Sequence, residues 1–240
     1  MMVRTVNEQE YAFRRNAILD AVQQLIYSKG YEQMTIQDIV EALKISKGAF
    51  YHYFDSKQDV LEALLERMLQ EAEQLFIPIV QDPSLTAIVK LQHFFDALNK
   101  YKTAQKTLLI ELLRVWYADD NIIVRRKSHA VGVKRLTPLF AAVIRQGVQE
   151  GVLTTPYPEQ ISEVVLSIAA ELGETLGQML LAFESEGGDM VRVEHTIAAY
   201  TDALERILGA SAGSLSLTNA DTLREWFVSP QVQAEKHFIK

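Results

Sequence analysis

The chain has 240 residues, 48% hydrophobic and 23% charged, with a net charge of −7 and no cysteine. That length can bury a sizeable core, and the apolar content rules out a disordered chain. Without cysteine there are no disulfides, thiolate metal sites or cysteine nucleophiles, which fits a reducing compartment. The acidic balance offers nucleic acid no general attraction. It is uneven, however: the first 60 residues carry 7 basic and 8 acidic side chains, and most of the excess acid lies beyond them. Between 44 and 57 three lysines (Lys44, Lys47, Lys57) face one acid, Asp55.

The N-terminal stretch MMVRTVNEQEYAFRRN is polar and of mixed charge, so no signal peptide is expected. No apolar run is expected to reach the roughly 18 residues of a membrane span. These readings place the protein in the cytoplasm.

The elements read as helix after helix. Over 11–28, Ala17, Ile18, Ala21, Val22, Leu25 and Ile26 recur at helical spacing, and Gly30 is a natural stop. Thr35-Ile36-Gln37-Asp38 is close to a capping box and starts a short second helix with Ile36, Ile39, Val40 and Leu43 inward. After a turn at Lys44-Ile45, Ser46 caps a third short helix from Lys47 to about Tyr53. Ser56-Lys57-Gln58-Asp59 opens a long fourth helix. Its expected buried face is Leu61, Leu64, Leu65, Met68, Ala72, Leu75, Phe76 and Ile79, and Pro83 and Ser84 end that section. Five further helices are expected at about 84–101, 103–118, 122–150, 157–183 and 190–209. No strand alternation or internal repeat appears. The run GASAGSLSLTN at 209–219 reads as a linker, and Leu223, Trp226 and Phe227 as a small docking helix. The fold class is therefore all-α. A helix-turn-helix domain is placed at 1–56, a larger helical domain at 57–211, and a linker with a short helix at 212–240.

The short second and third helices with their tight turn form the helix-turn-helix pattern. A helix that enters the major groove needs a small, polar outer face and an apolar inner one. In 46–54, Phe50, Tyr53 and Phe54 can pack inward, leaving Ser46, Lys47, Gly48, Ala49, Tyr51 and His52 outside. Gly48 and Ala49 let the backbone approach a duplex. The helix start, Lys47, Lys57 and the Tyr51 hydroxyl offer phosphate donors. On spacing alone, the same run also fits an ordinary all-α protein.

Thr35-Ile36-x-Asp38-Ile39 followed by Ser46-Lys47-Gly48-x-Phe50-Tyr51-x-Tyr53-Phe54-x-Ser56-Lys57 resembles the DNA-binding domain of the tetracycline-repressor (TetR) family, over about residues 11–70. The resemblance implies that Thr35, Lys47, Tyr51 and Lys57 meet phosphates and that Ser46, Gly48, Ala49 and His52 lie near base edges. It implies a homodimer on operator DNA and a small-molecule effector; the residues themselves show no metal-spaced His/acid cluster, so no metal and no cofactor are expected. Two positions depart from the family pattern. Lys44 stands where glycine is usual, and Ala49 where threonine is frequent.

Two recognition helices about one DNA turn apart require a symmetric partner. The expected dimer surface is Ile161, Val165, Ala169, Leu172, Gly173, Leu176, Gly177 and Leu180, with Ala199, Ala203, Leu204 and Ile207. An intramolecular helix pair is the alternative. The resemblance also implies an apolar effector cavity, for which Met68, Phe94, Phe95, Leu98, Leu113, Trp116, Tyr117, His129 and Phe140 are the candidate lining. Aromatics at helical spacing equally make a plain core. His129, with Arg125, Arg126, Lys127 and Lys134, suits an anion or a solvated basic face.

No phosphate-binding glycine loop, His-Glu-x-x-His or Gly-x-Ser-x-Gly occurs, and Glu171 and Glu174 are a weak carboxylate pair. The expected function is a ligand-responsive transcriptional regulator, a repressor released when a small, largely apolar molecule binds. An all-helical enzyme or a DNA-free adaptor is the alternative.

Overall fold

The computed structural model describes residues 2–117 and 122–227. Among these there are helices and no strand. They are α1 (Met2–Lys29), α2 (Ile36–Leu43), α3 (Lys47–Tyr51), α4 (Lys57–Gln81), α5 (Ala87–Ala104), α6 (Lys106–Trp116), α7 (Ile122–Gln149), α8 (Pro158–Glu186), α9 (Met190–Leu208) and α10 (Ala220–Phe227). Two boundaries differ instructively from the sequence reading. Helix α1 starts at Met2 rather than near residue 11. Residues 8–14 are exposed and offer no buried stripe, and the Glu10–Arg14 pair, 3.0 Å apart, adds local support there. Helix α5 starts at Ala87 rather than 84. Asp82 Oδ1 accepts from the backbone N–H and the hydroxyl of Ser84, holding 82–84 in a turn of its own.

The chain divides into two compact units, residues 1–69 with 107–128 and residues 70–106 with 129–240. In the first, Ile18, Leu19, Val22 and Ile26 of α1 meet Ile39, Val40, Phe50, Phe54, Val60, Leu61 and Leu64 in one core. Leu108, Leu112 and Val115 of α6 complete that core. The expected face of α4 holds at Leu61, Leu64, Ala72 and Phe76. Leu75 is the correction: it points to solvent, one position off the stripe.

In the second unit Phe76, Phe94 and Phe140 stack ring on ring, with centroids 4.8 to 6.1 Å apart. Helices α8 and α9 pack against each other. Helix α8 also corrects the expectation about membrane-length runs. By length and composition alone, Pro158–Phe183 is apolar enough to cross a membrane. Its small and aliphatic residues lift the average despite Glu171 and Glu174, and a core helix passes the same test.

Segment 209–219 is pinned to the second unit. The buried Glu205 carboxylate accepts the N–H groups of Gly213 and Leu215 at 3.0 and 2.9 Å. Gln92 exchanges two bonds with the Ser216 backbone, and Asn99 donates to Leu217 O. Gly209 ends α9 at φ 63°, where a Cβ would lie 1.8 Å from Thr154 Oγ1. Helix α10 then packs on α5 and α8. Trp226 donates to Thr103 Oγ1, and Phe227 meets Phe183 edge-on.

Candidate nucleic-acid interface

The two short helices owe their ends to local side-chain chemistry. Thr35 caps α2 in a reciprocal capping box: Thr35 Oγ1 accepts from Asp38 N–H, and Asp38 Oδ2 accepts from Thr35 N–H at 2.7 Å. Lys29 Nζ donates to the other carboxylate oxygen at 2.6 Å. The Lys29 bond above all, with the hydroxyl and N–H of Thr35, holds the Asp38 carboxyl well below the usual carboxylate range. A depressed acid of this kind stabilises the fold above its unfolded pKa, and that stability is lost as pH falls toward the folded value. The thermal stability of Asp38→Asn should therefore fall short of the parent at pH 7, and the gap should close as pH drops below about 4. A gap independent of pH would contradict the ionised cap.

Helix α2 ends on Lys44 in the left-handed conformation, φ 54° and ψ 42°. Its N–H and that of Ile45 return to the last carbonyls of α2. Ser46 then opens α3 with extended backbone, its hydroxyl accepting from Ala49 N–H at 3.1 Å. Phe50 and Phe54 are 0% and 1% exposed. Ser46, Lys47, Gly48, Tyr51 and His52 are exposed, and Ala49 and Tyr53 are half-buried. The structure thus brings six of the eight candidate contacts together on one short outward surface.

The other two candidates are largely engaged elsewhere. The Thr35 hydroxyl donates to Asp38 Oδ2 at 2.7 Å, which occupies its proton in the cap. Lys57 lies over the Tyr31 ring, Nζ to centroid 4.2 Å, and donates to Glu32 O at 3.1 Å. Burial pushes its pKa down, offset in part by Glu32. The Tyr31 phenol, desolvated and beside Glu32, is pushed up to about 12. It donates to Lys57 O, so this pair clamps the start of α4. Sequence reasoning missed Tyr11, whose ring meets Tyr53 at 4.8 Å and His52 at 5.8 Å. It steadies the end of α3 from α1; seven residues before Ile18 it shares that residue's face, but the apolar stripe was read only from Ala17 onward.

The candidate effector lining is divided. Met68, Leu113, Trp116 and Tyr117 belong to the first unit; Phe94, Phe95, Leu98, His129 and Phe140 belong to the second. Phe94 and Phe140 are core residues of the phenylalanine trio. Tyr117 carries Arg125 over its ring at 5.5 Å. His129 is exposed and edges a groove of about 390 Å³ between α7 and α8, with Lys134, Thr137 and Glu163. Of the dimer candidates, Val165, Leu172, Gly177, Leu180 and Leu204 are buried within the chain. Gly173 faces Lys102 of α5. Ile161, Ala169, Leu176, Ala203 and Ile207 are half-buried, and Ala199 is exposed.

Residues 18–64 match the sequence profile of the family described as bacterial regulatory proteins, tetR family. That stretch holds α2 and α3, and there the chain is similar to the TetR family. It is 25% identical over 95 residues to the HTH-type transcriptional repressor DhaR of Mycobacterium sp. strain GP1, covering 40% of this chain and 48% of that one. The chain thus spans about half the length of that relative. It is 22% identical to the uncharacterised regulator YfiR of Bacillus subtilis, covering 80% of this chain and 92% of that one. A crystal structure of a transcriptional regulator from Cytophaga hutchinsonii shares the fold, with a TM-score of 0.57, 15% identity and coverage of 88% and 97%.

Against the TetR pattern, the structure explains the cost of one departure. Lys44 is the one non-glycine residue with positive φ among the described residues. A left-handed L-residue costs about 1–2 kcal/mol. Lys44→Gly should raise the unfolding free energy by about 1 kcal/mol, the strain relief being reduced by glycine's greater unfolded entropy. Equal or lower stability in a urea titration would contradict this.

Proposed function

We propose that this protein is a homodimeric, DNA-binding transcriptional regulator of the TetR family. It acts as a repressor that leaves its operator when a small, largely apolar molecule binds the C-terminal domain. The observation that carries the reading is α3. Its inner face is fixed by buried Phe50 and Phe54, and its outer face is a cluster of small and polar exposed residues. In this reading Lys47 and the Tyr51 hydroxyl hold phosphates, and Ser46, Gly48, Ala49 and His52 lie at base edges. The methyl of Ala49 suits a thymine methyl. Thr35 and Lys57 act chiefly by fixing α2 and α4, with phosphate contact secondary. Similarity to a family of regulatory proteins, and the role of DhaR as a transcriptional repressor, support regulation over catalysis.

The domain bounds proposed are 1–56 for the reader, 57–211 for effector binding and dimerisation, and 212–240 for the C-terminal segment. Dimerisation rests on the apolar residues that α8 and α9 keep outward, among them Ala199, Val164 and Val191, the last two 42% and 55% exposed. Release runs through α4, a continuous helix from Lys57 to Gln81. Effector and DNA must favour different states of it for the coupling to exist.

Selection of random duplexes on the full-length protein tests the reading. It should enrich a two-fold symmetric sequence with half-sites about one turn, or a multiple of it, apart. No enrichment over non-specific binding would overturn it.

A further inference from the structure

Helix α1 meets the end of α3 through three rings that form a closed triangle. Tyr11 of α1 lies against Tyr53 with centroids 4.8 Å apart and planes tilted by 39°. The Tyr11 ring also meets His52 at 5.8 Å, and Tyr53 meets His52 at 5.0 Å, with planes at 78° and 82°. The imidazole of His52 thus stands nearly at right angles to two rings, the favoured edge-to-face arrangement. One turn further along α1, Arg15 lies over the Phe54 ring, 4.9 Å from its centroid. Positions 11 and 15 are neighbours on one face of α1, so a single side of that helix grips residues 52–54.

The rings hold a side chain that nothing else fixes. His52 is the C-cap of α3, and its side chain is exposed. Among the described residues no hydrogen bond or ion pair ties either ring nitrogen, so both are open to an outside partner. Helix α3 has only five residues, and a helix that short supplies little stiffness of its own at position 52. Without neighbours, an exposed imidazole there would divide its time among rotamers. Packing of the core does not account for Tyr11. It is 39% exposed and stands outside the hydrophobic core of its unit.

We propose that Tyr11 is a positioning residue that determines specificity: with Tyr53 it aims the His52 imidazole at one base pair of each half-site. This rests on the reading of α3 as the DNA-reading helix, and it adds a residue of α1 to the groups that choose the sequence. Imidazole brings a donor or an acceptor to a base edge. Fixing the ring before DNA arrives removes the entropic cost of fixing it on binding, worth about threefold in affinity for one side chain.

The test uses the full-length protein and a duplex selected on it, together with copies carrying each base change in one half-site. These are titrated with the parent, His52→Ala, Tyr11→Ala, Tyr11→Leu, Tyr11→Phe and the double variant of His52→Ala with Tyr11→Ala. His52→Ala should lose about tenfold in discrimination at one base pair, the scale of a single mismatch. Tyr11→Ala should lose about threefold at that same base pair and nothing elsewhere, with binding to random-sequence duplex unchanged. Tyr11→Leu covers Tyr53 without offering His52 a ring; it should match Tyr11→Ala, and it replaces that variant if the smaller side chain unfolds the domain. Tyr11→Phe keeps the ring and should match the parent. In the double variant, Tyr11→Ala should add no further loss, because the side chain it aims is gone. The proposal is overturned if His52→Ala or the Tyr11 variants without a ring discriminate like the parent, or if those Tyr11 variants weaken all duplexes alike. It is also overturned if Tyr11→Phe loses as much as Tyr11→Ala, or if the loss persists without His52. A parent that selects no duplex refutes the DNA reader itself. A parent that selects one, while its Tyr11 variants keep every preference, refutes only the role of Tyr11.

Discussion

Phe50→Ala should lower the unfolding free energy by about 3–5 kcal/mol, the range for truncating a fully buried phenylalanine. Phe50 is 0% exposed and stacks on Phe54 with centroids 6.0 Å apart. Its core also holds Leu19, Val22, Ile39, Leu64 and Leu108. Helix α3 spans only five residues and cannot persist by its own propensity. Removing its anchor therefore leaves both a cavity and a helix without a floor. Tyr51→Ala, next in sequence, is the control. Tyr51 is 50% exposed and meets only the edge of Phe50 among the ring contacts, so its loss should cost less than about 1 kcal/mol. Urea titrations of both variants check the contrast, and similar losses would mean that the two faces of α3 are misassigned.

Glu205→Ala should cost about 2–4 kcal/mol, with the loss concentrated in the C-terminal segment. One buried carboxylate satisfies the N–H groups of both Gly213 and Leu215. Each donor left unpaired costs about 1–3 kcal/mol unless the segment comes away and finds water. Partial release of 210–227 is therefore the expected outcome, with Trp226 losing its bond to Thr103. Protease cutting within 210–219 and a shift in tryptophan emission, both before global unfolding, would report it. Retention of the parent's cutting rate would show that Glu205 does not hold the segment.

What the sequence revealed and what it hid divide along the range of the interactions. The caps at Thr35 and Ser46 were readable because each side chain bonds a backbone group three residues on. The inward Phe50 and Phe54 followed from helical spacing, and the family resemblance aligned these features in one order. Contacts made over long separations left little trace. Nothing in the spacing of α6 shows that Leu108, Leu112 and Val115 belong to the core of the N-terminal unit. Composition made 209–219 a linker because its serines and glycines are small. Their backbone partners, Glu205, Gln92 and Asn99, lie on distant helices. Lys57 looked like a phosphate donor because the ring of Tyr31 beneath it cannot be inferred from a sequence 26 residues apart. The glycines of α8 looked like a seam for a second subunit, yet Gly177 is buried in its own chain and Gly173 faces Lys102.

The central claim is that the outer face of α3 reads DNA. It is tested most directly by titrating a selected duplex with the parent, Lys47→Ala and Tyr51→Ala across a range of salt concentrations. Both variants should fold normally and bind more weakly by about tenfold, as expected for removing a hydrogen bond to a charged phosphate in each subunit. Lys47→Ala should also flatten the dependence of log affinity on log salt by about 0.9 for each phosphate no longer neutralised. Parent-like affinity and salt slope in both variants would contradict the account.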